Sequence, residues 1–212
     1  TGYPLATGYG LVTHWYSWNN GLVPHDAVRF CTIHDYIAML LAGNTTPITE
    51  ASDAASFGLF DVEKGHFDAA ALEKVQIDPS LLPELAQEPC IGHYRGIPVY
   101  VPIGDNQASF LGATGGKKDA MLVNMGTGGQ FSAYTREYLT CEGLETRPFP
   151  DGGWLLVGAS LCGGRSYALL ETFFRETVKL VTGKEVTAYE AMDLALVSHL
   201  ATLRGSVPCT PL

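Results

Sequence analysis

The residues best placed to do chemistry are an aspartate and a run of glycines, each at the end of an apolar strand. Ile97-Pro98-Val99-Tyr100-Val101-Pro102-Ile103 stops at Gly104-Asp105-Asn106, and Met121-Leu122-Val123-Asn124-Met125 stops at Gly126-Thr127-Gly128-Gly129. The first strand delivers a carboxylate beside a glycine that admits the close approach of another backbone or a ligand. The second delivers small residues whose backbone N–H groups can point at an anion. A carboxylate that takes a hydroxyl proton and a turn that holds a phosphate are two parts of a phosphoryl-transfer site.

Each feature also has a plainer reading. An Asp between a strand and a helix is an ordinary N-cap, a role compatible with ligand binding at the carboxyl end of a strand. Gly-Thr-Gly-Gly is an ordinary tight hairpin turn. No G-x-G-x-x-G fits there, and Gly112–Lys118 is no Walker loop, since Lys118 stands where Ser or Thr is required. Gly158-Ala159-Ser160-Leu161-Cys162 comes near the G-x-S-x-G nucleophile elbow, which keeps a serine hydrolase acting through Ser160 as a minor alternative. The six histidines show no H-x-x-x-H spacing and no metal site is assigned. His34 reads as the partly buried partner of Asp35. Trp15 and Trp18, three apart, read as core-facing. Tyr9, in the Thr7-Gly8-Tyr9-Gly10 turn, offers an aromatic face suited to a sugar.

The elements that must position these residues follow from periodicity and punctuation. Helical spacing covers Gly8–Asn19, and Thr32 caps a helix that Gly43-Asn44 closes. Ile48–Phe60 reads as a short helix or turn-rich stretch, Asp68–Val75 as a short capped helix, and Asp78–Pro89 as a loop. After the 97–103 strand come a short helix at Asp105–Gly112, a strand at Ala120–Met125, and a hairpin partner at Gln130–Tyr134. Trp154–Val157 is a further strand. Long helices follow at Gly164–Gly183 and Ala188–Leu203, and Ser206–Leu212 reads as the start of another strand. The change of character near Gly115–Lys118 marks the expected domain boundary, giving domains 1–115 and 116–212.

The chain has 212 residues, 46% of them hydrophobic, and a formal net charge of -9. That length can bury a substantial core. The acidic balance, with no Lys/Arg cluster, argues against nucleic-acid or anionic-membrane partners, and no apolar run reaches bilayer length. Five scattered cysteines without a C-x-x-C pair read as reduced thiols, as in the cytoplasm.

The ordered set Ala6–Gly10, Thr32-Ile33-His34-Asp35-Tyr36, Ser52–Gly58, Gly104–Ser109, Gly126-Thr127-Gly128 and Gly158–Gly164 resembles the FGGY family of carbohydrate kinases, on its sedoheptulokinase- and xylulokinase-like side. The resemblance implies an α/β architecture of two ribonuclease-H-like domains of the actin and hexokinase type, the chain covering the end of the first and the start of the second. It implies ATP-dependent phosphorylation of a terminal hydroxyl of a ketose, with Mg2+ accompanying ATP. Asp105 would be the general base, Asn106 and Tyr9 would contact the sugar, and Gly126, Thr127, Gly128 and Gly164 would line the nucleotide site. A small sugar is then the partner, and a homodimer is left open. The family's first phosphate loop and its adenosine loop do not occur in these residues, so the 212 residues alone are expected to be inactive. A non-catalytic sugar- or nucleotide-binding relative is the alternative.

Overall fold

The computed structural model describes residues 1–160 and 162–202, with side chains described as far as Ser198. The expectations for Leu203, for Cys209 and for a strand at Ser206–Leu212 lie outside the described residues. Helices and strands alternate in the order α1 (Gly10–Asn19), α2 (Ile33–Ala42), β1 (Ile48–Thr49), α3 (Ala51–Ala54), β2 (Phe60–Asp61), β3 (His66–Phe67) and α4 (Ala69–Lys74). Then come β4 (Glu84–Leu85), β5 (Cys90–Tyr94), β6 (Ile97–Tyr100), α5 (Asp105–Thr114), β7 (Met121–Met125) and β8 (Gly129–Thr135). The described elements end with β9 (Glu145–Pro148), β10 (Trp154–Ser160), α6 (Gly164–Thr182) and α7 (Tyr189–Thr202).

The chain divides into two compact units. The first comprises residues 1–120, 133–139 and 146–156, and the second comprises 121–132, 140–145 and 157–212. β7, β8, β10 and β9 form a four-stranded sheet in that order, with β8, β9 and β10 each contributing residues to both units.

In the first unit the core gathers Leu11, Phe57, Leu59, Ala71, Leu72, Ile77 and Leu82. Phe30 meets Phe57 edge-on, with ring centroids 5.1 Å apart. Local chemistry sets the helix ends. The Thr32 hydroxyl accepts the Asp35 N–H at 3.2 Å and starts α2, and Gly43 ends it at φ +74°, where a side chain would be strained. Asp68 caps α4 by accepting the Ala71 N–H at 3.0 Å. α5 is anchored by Phe110, which is fully buried and packs edge-on to Phe149.

Ile48–Phe60, expected as a short helix or turn-rich stretch, holds β1, the short α3, a 3-10 turn at Ala55–Phe57 and the start of β2. Three other expectations are corrected. β1 pairs in parallel with β4, drawn from the stretch read as a loop. The strand before Asp105 stops at Tyr100: the Val101 N–H still donates to the Pro89 carbonyl at 2.8 Å, but Pro89 has no N–H to return the bond and Pro102 none to carry the ladder on. β6 is the return limb of a hairpin whose first limb, β5, the sequence reading passed over. Arg95 and Gly96, at φ +51° and +81°, form its two-residue turn, the geometry that suits strand twist. Finally, Trp15 and Trp18 are 47% and 61% exposed. The buried face of α1 is centred on Leu11 instead.

Candidate active site

One candidate constellation, within the first unit, is the junction of β6 and α5. Asp105 is the first residue of α5, and Gly104 occupies the cap position without any side-chain cap bond. The plain reading of Asp105 as an N-cap therefore fails by one residue. Its carboxylate is exposed, and among the described residues it has no hydrogen-bond or ion-pair partner. An acid in the first helical turn sits favourably against the helix dipole, which leaves its oxygens available to something outside the protein.

Gly104 is held from two sides. Its N–H donates to Ser52 Oγ at 3.0 Å, and Ser52 in turn donates to Glu50. A Cβ at Gly104 would lie 2.5 Å from Gln107 Oε1, so any larger residue would have to displace the Gln107 side chain. Gln107 is itself buried and donates through Nε2 to the Pro148 carbonyl at 2.7 Å. Ser52 and Gln107 thus fix the point from which Asp105 projects. Sequence reading gave neither a role. Ser52 is far from Gly104 in sequence, and no spacing rule links the two.

Asn106, the next residue, is buried. Tyr9 is half-buried at the cap position of α1, its ring packed beside Gly58. Ser160 is the last residue of β10, not the apex of an elbow. Its hydroxyl donates to the Cys162 carbonyl at 2.9 Å and accepts the Cys162 N–H at 3.2 Å. That closed clasp uses the hydroxyl structurally and offers no activating base.

A separate cluster lies in the other unit, where the structure brings Gly126, Thr127, Gly128 and Gly164 together. Gly164 N–H donates to the Gly126 carbonyl at 2.7 Å, and Arg165 N–H to the Thr127 carbonyl at 3.3 Å. The turn is closed by Gly126 N–H to the Gly128 carbonyl at 2.9 Å. The approach needs bare backbone at the start of α6. A Cβ at Gly164 would lie 2.7 Å from Gly126 O, and one at Gly163 would lie 2.5 Å from the Gly128 carbonyl carbon. The dipole argument for α6 needs amending here. Its Gly164 and Arg165 amides are taken by the turn, and those of Ser166 and Tyr167 by the Gly163 carbonyl. Among the described residues, the donors left open are the backbone N–H groups of Thr127 and Gly128 with the exposed Thr127 hydroxyl. The first turn of α6 carries no carboxylate, so nothing there repels an anion.

Comparison with known proteins defines the class. Over residues 1–112 the chain matches the family model described as the FGGY family of carbohydrate kinases, N-terminal domain. Sedoheptulokinase of Mus musculus is 29% identical over 224 residues, covering 93% of this chain and 45% of that protein. Xylulose kinase of Lactococcus lactis subsp. lactis is 32% identical over 149 residues, covering 62% of this chain and 29% of that protein. Among solved structures, xylulose kinase from Rhodospirillum rubrum superimposes with a TM-score of 0.71 at 20% identity, covering 92% of this chain and 41% of that one. Glycerol kinase of Plasmodium falciparum with ADP gives a TM-score of 0.55 at 21% identity, over 74% of this chain and 33% of that one. The architecture is that of the α/β sugar kinases of the actin and hexokinase type. The chain belongs to the FGGY family of carbohydrate kinases. It spans about half the length of the curated relatives it matches most extensively. No described helix is long and apolar enough to cross a membrane.

Proposed function

We propose that this chain is part of an ATP-dependent ketose kinase acting on a terminal hydroxyl of a sedoheptulose- or xylulose-like sugar. Residues 1–115 are read as the latter part of its sugar-binding domain and 116–212 as the opening of its nucleotide-binding domain. The observation that carries the reading is the free carboxylate of Asp105 on a braced helix start, since a general base must reach the proton it takes.

In this reading Asp105 accepts the proton of the sugar hydroxyl as that oxygen attacks the terminal phosphorus of ATP. Asn106, directly after it, and Tyr9 help hold the sugar. Thr127, through its hydroxyl and N–H, and the Gly128 N–H hold the nucleotide's phosphates, while Gly126 and Gly164 keep the turn against α6. The donor set fits an anion: two unengaged amides, a hydroxyl and no nearby acid on α6. ATP supplies the phosphoryl group, and Mg2+ arriving on its phosphates offsets their charge. With so loose a transition state, positioning and charge stabilisation carry most of the catalysis.

The test is ADP release by the whole protein with ATP and, in turn, sedoheptulose, xylulose and glycerol. Sugar-dependent release with a ketose preferred over glycerol supports the proposal. Binding of ATP and sugar without any ADP release would make the protein a non-catalytic relative.

A further inference from the structure

The sequence reading paired His34 with Asp35, but the structure pairs it elsewhere. His34 Nε2 lies 2.6 Å from Asp53 Oδ2, and the Thr32 hydroxyl donates to the same oxygen at 3.1 Å. Asp35 stands alongside, fully buried, and neither of its carboxylate oxygens has a hydrogen-bond partner. The neighbouring Thr49 is also fully buried, with its hydroxyl unpartnered. Burial drives the Asp35 pKa up to about 6; the Thr32 and Thr49 hydroxyls and His34 offset part of the rise, and Asp53 adds to it. Those hydroxyls are near enough to be felt, yet neither forms a hydrogen bond of proper geometry with the carboxylate.

Two buried carboxylates side by side call for a cation, because an uncompensated buried charge is costly. One ligand atom each from His34, Asp35 and Asp53 lies within 4.8 Å of the others. A tetrahedral ion bound at about 2.0–2.1 Å holds its ligand atoms roughly 3.3 Å apart, so small side-chain shifts suffice. One imidazole nitrogen with two carboxylate oxygens is a borderline donor set, suited to Zn2+ or Mn2+. His34 is exposed, which leaves an entry path and room for a water ligand, while the two aspartates are buried.

We propose that His34, Asp35 and Asp53 form a divalent metal site of the zinc and manganese class, with Thr49 beside it. The ion ties the first turn of α2 to α3. Because α3 also carries Ser52, whose hydroxyl holds the Gly104 N–H, occupancy braces the residue directly before Asp105.

The chain is stripped with chelator and titrated calorimetrically with ZnCl2 and separately with MnCl2, and its visible spectrum is recorded with Co2+. The proposal expects one tight equivalent of Zn2+ or Mn2+, a rise in Tm on binding, and at least a tenfold loss of affinity in each of His34→Ala and Asp53→Asn. The Co2+ complex should give nitrogen–oxygen d–d bands with no thiolate charge-transfer band. Absence of stoichiometric binding by all three ions overturns it, as does undiminished binding in both variants. Should a variant unfold, the Co2+ spectrum of the unaltered chain decides: a thiolate band assigns the ion to cysteine and overturns the site.

Discussion

Replacing Gly164 by alanine probes the joint between the Gly126–Gly128 turn and α6. At the first position of an open helix, alanine for glycine would favour the helix by up to about 1 kcal/mol. Here the added methyl would sit 2.7 Å from the Gly126 carbonyl oxygen, a backbone atom that cannot swing aside as a flexible side chain does. The turn must then move by several tenths of an ångström, and overpacking of this kind costs about 1–3 kcal/mol. The same movement lengthens the Gly164-to-Gly126 hydrogen bond, now 2.7 Å, and displaces the Thr127 and Gly128 donors. If those donors hold phosphate, ATP affinity falls by roughly 5- to 150-fold, at 1.4 kcal/mol per tenfold. Calorimetry on the whole protein with ATP and with sugar, beside thermal unfolding, reads the result. ATP should weaken at least fivefold while sugar affinity stays within twofold. ATP affinity within twofold of the unaltered protein refutes the argument that this turn grips phosphate.

Thr127→Val removes one open donor and keeps the shape, so ATP binding should weaken by about 1 kcal/mol with sugar binding unchanged; equal losses for both ligands would argue against a phosphate turn. Gln107→Ala strands the buried Pro148 carbonyl and should cost about 1–3 kcal/mol, read as a lower urea midpoint; an unchanged midpoint would remove Gln107 from the brace. The Tyr3 hydroxyl donates to Asp68 at 3.1 Å, and burial, followed by that bond, lifts its pKa to about 12. The folded chain therefore holds this proton more tightly than the unfolded one. The stabilisation is complete below pH 10 and disappears as pH rises towards 12. Tm measured against pH should fall more steeply across that window in the native chain than in Tyr3→Phe, and parallel curves would contradict the linkage.

The parts of this molecule that were legible in the sequence were those written in local chemistry. Thr32 followed three residues later by Asp35, and Gly43 after the apolar run, fixed α2 almost to the residue. The spacing of Gly164 and Gly183 did the same for α6. What stayed hidden depends on partners distant in sequence. Glu84–Leu85 becomes a strand only because Ile48–Thr49 lies beside it. The mixed composition of Cys90–Tyr94 gives no alternation to read, although the Arg95-Gly96 turn was available as a hairpin signal. Trp15 and Trp18 followed the helical period without being buried, because period assigns residues to a face but not the face to a core. At the site, the glycine turn and Gly164 were each visible, and the hydrogen bonds joining them were not. His34 was visible beside Asp35 in sequence, but no spacing rule brings in a carboxylate from another element. Its partner is Asp53, on another element.

The most direct test is Asp105→Asn in the whole protein. Asp105 is exposed and unpartnered among the described residues, so the change should leave stability within about 0.5 kcal/mol. Sugar and ATP affinities should stay within a few-fold, while turnover falls by about 10²–10⁴ as the base is lost. Turnover within a few-fold of the unaltered enzyme, with both substrates bound normally, would contradict the assignment of Asp105 as the proton acceptor.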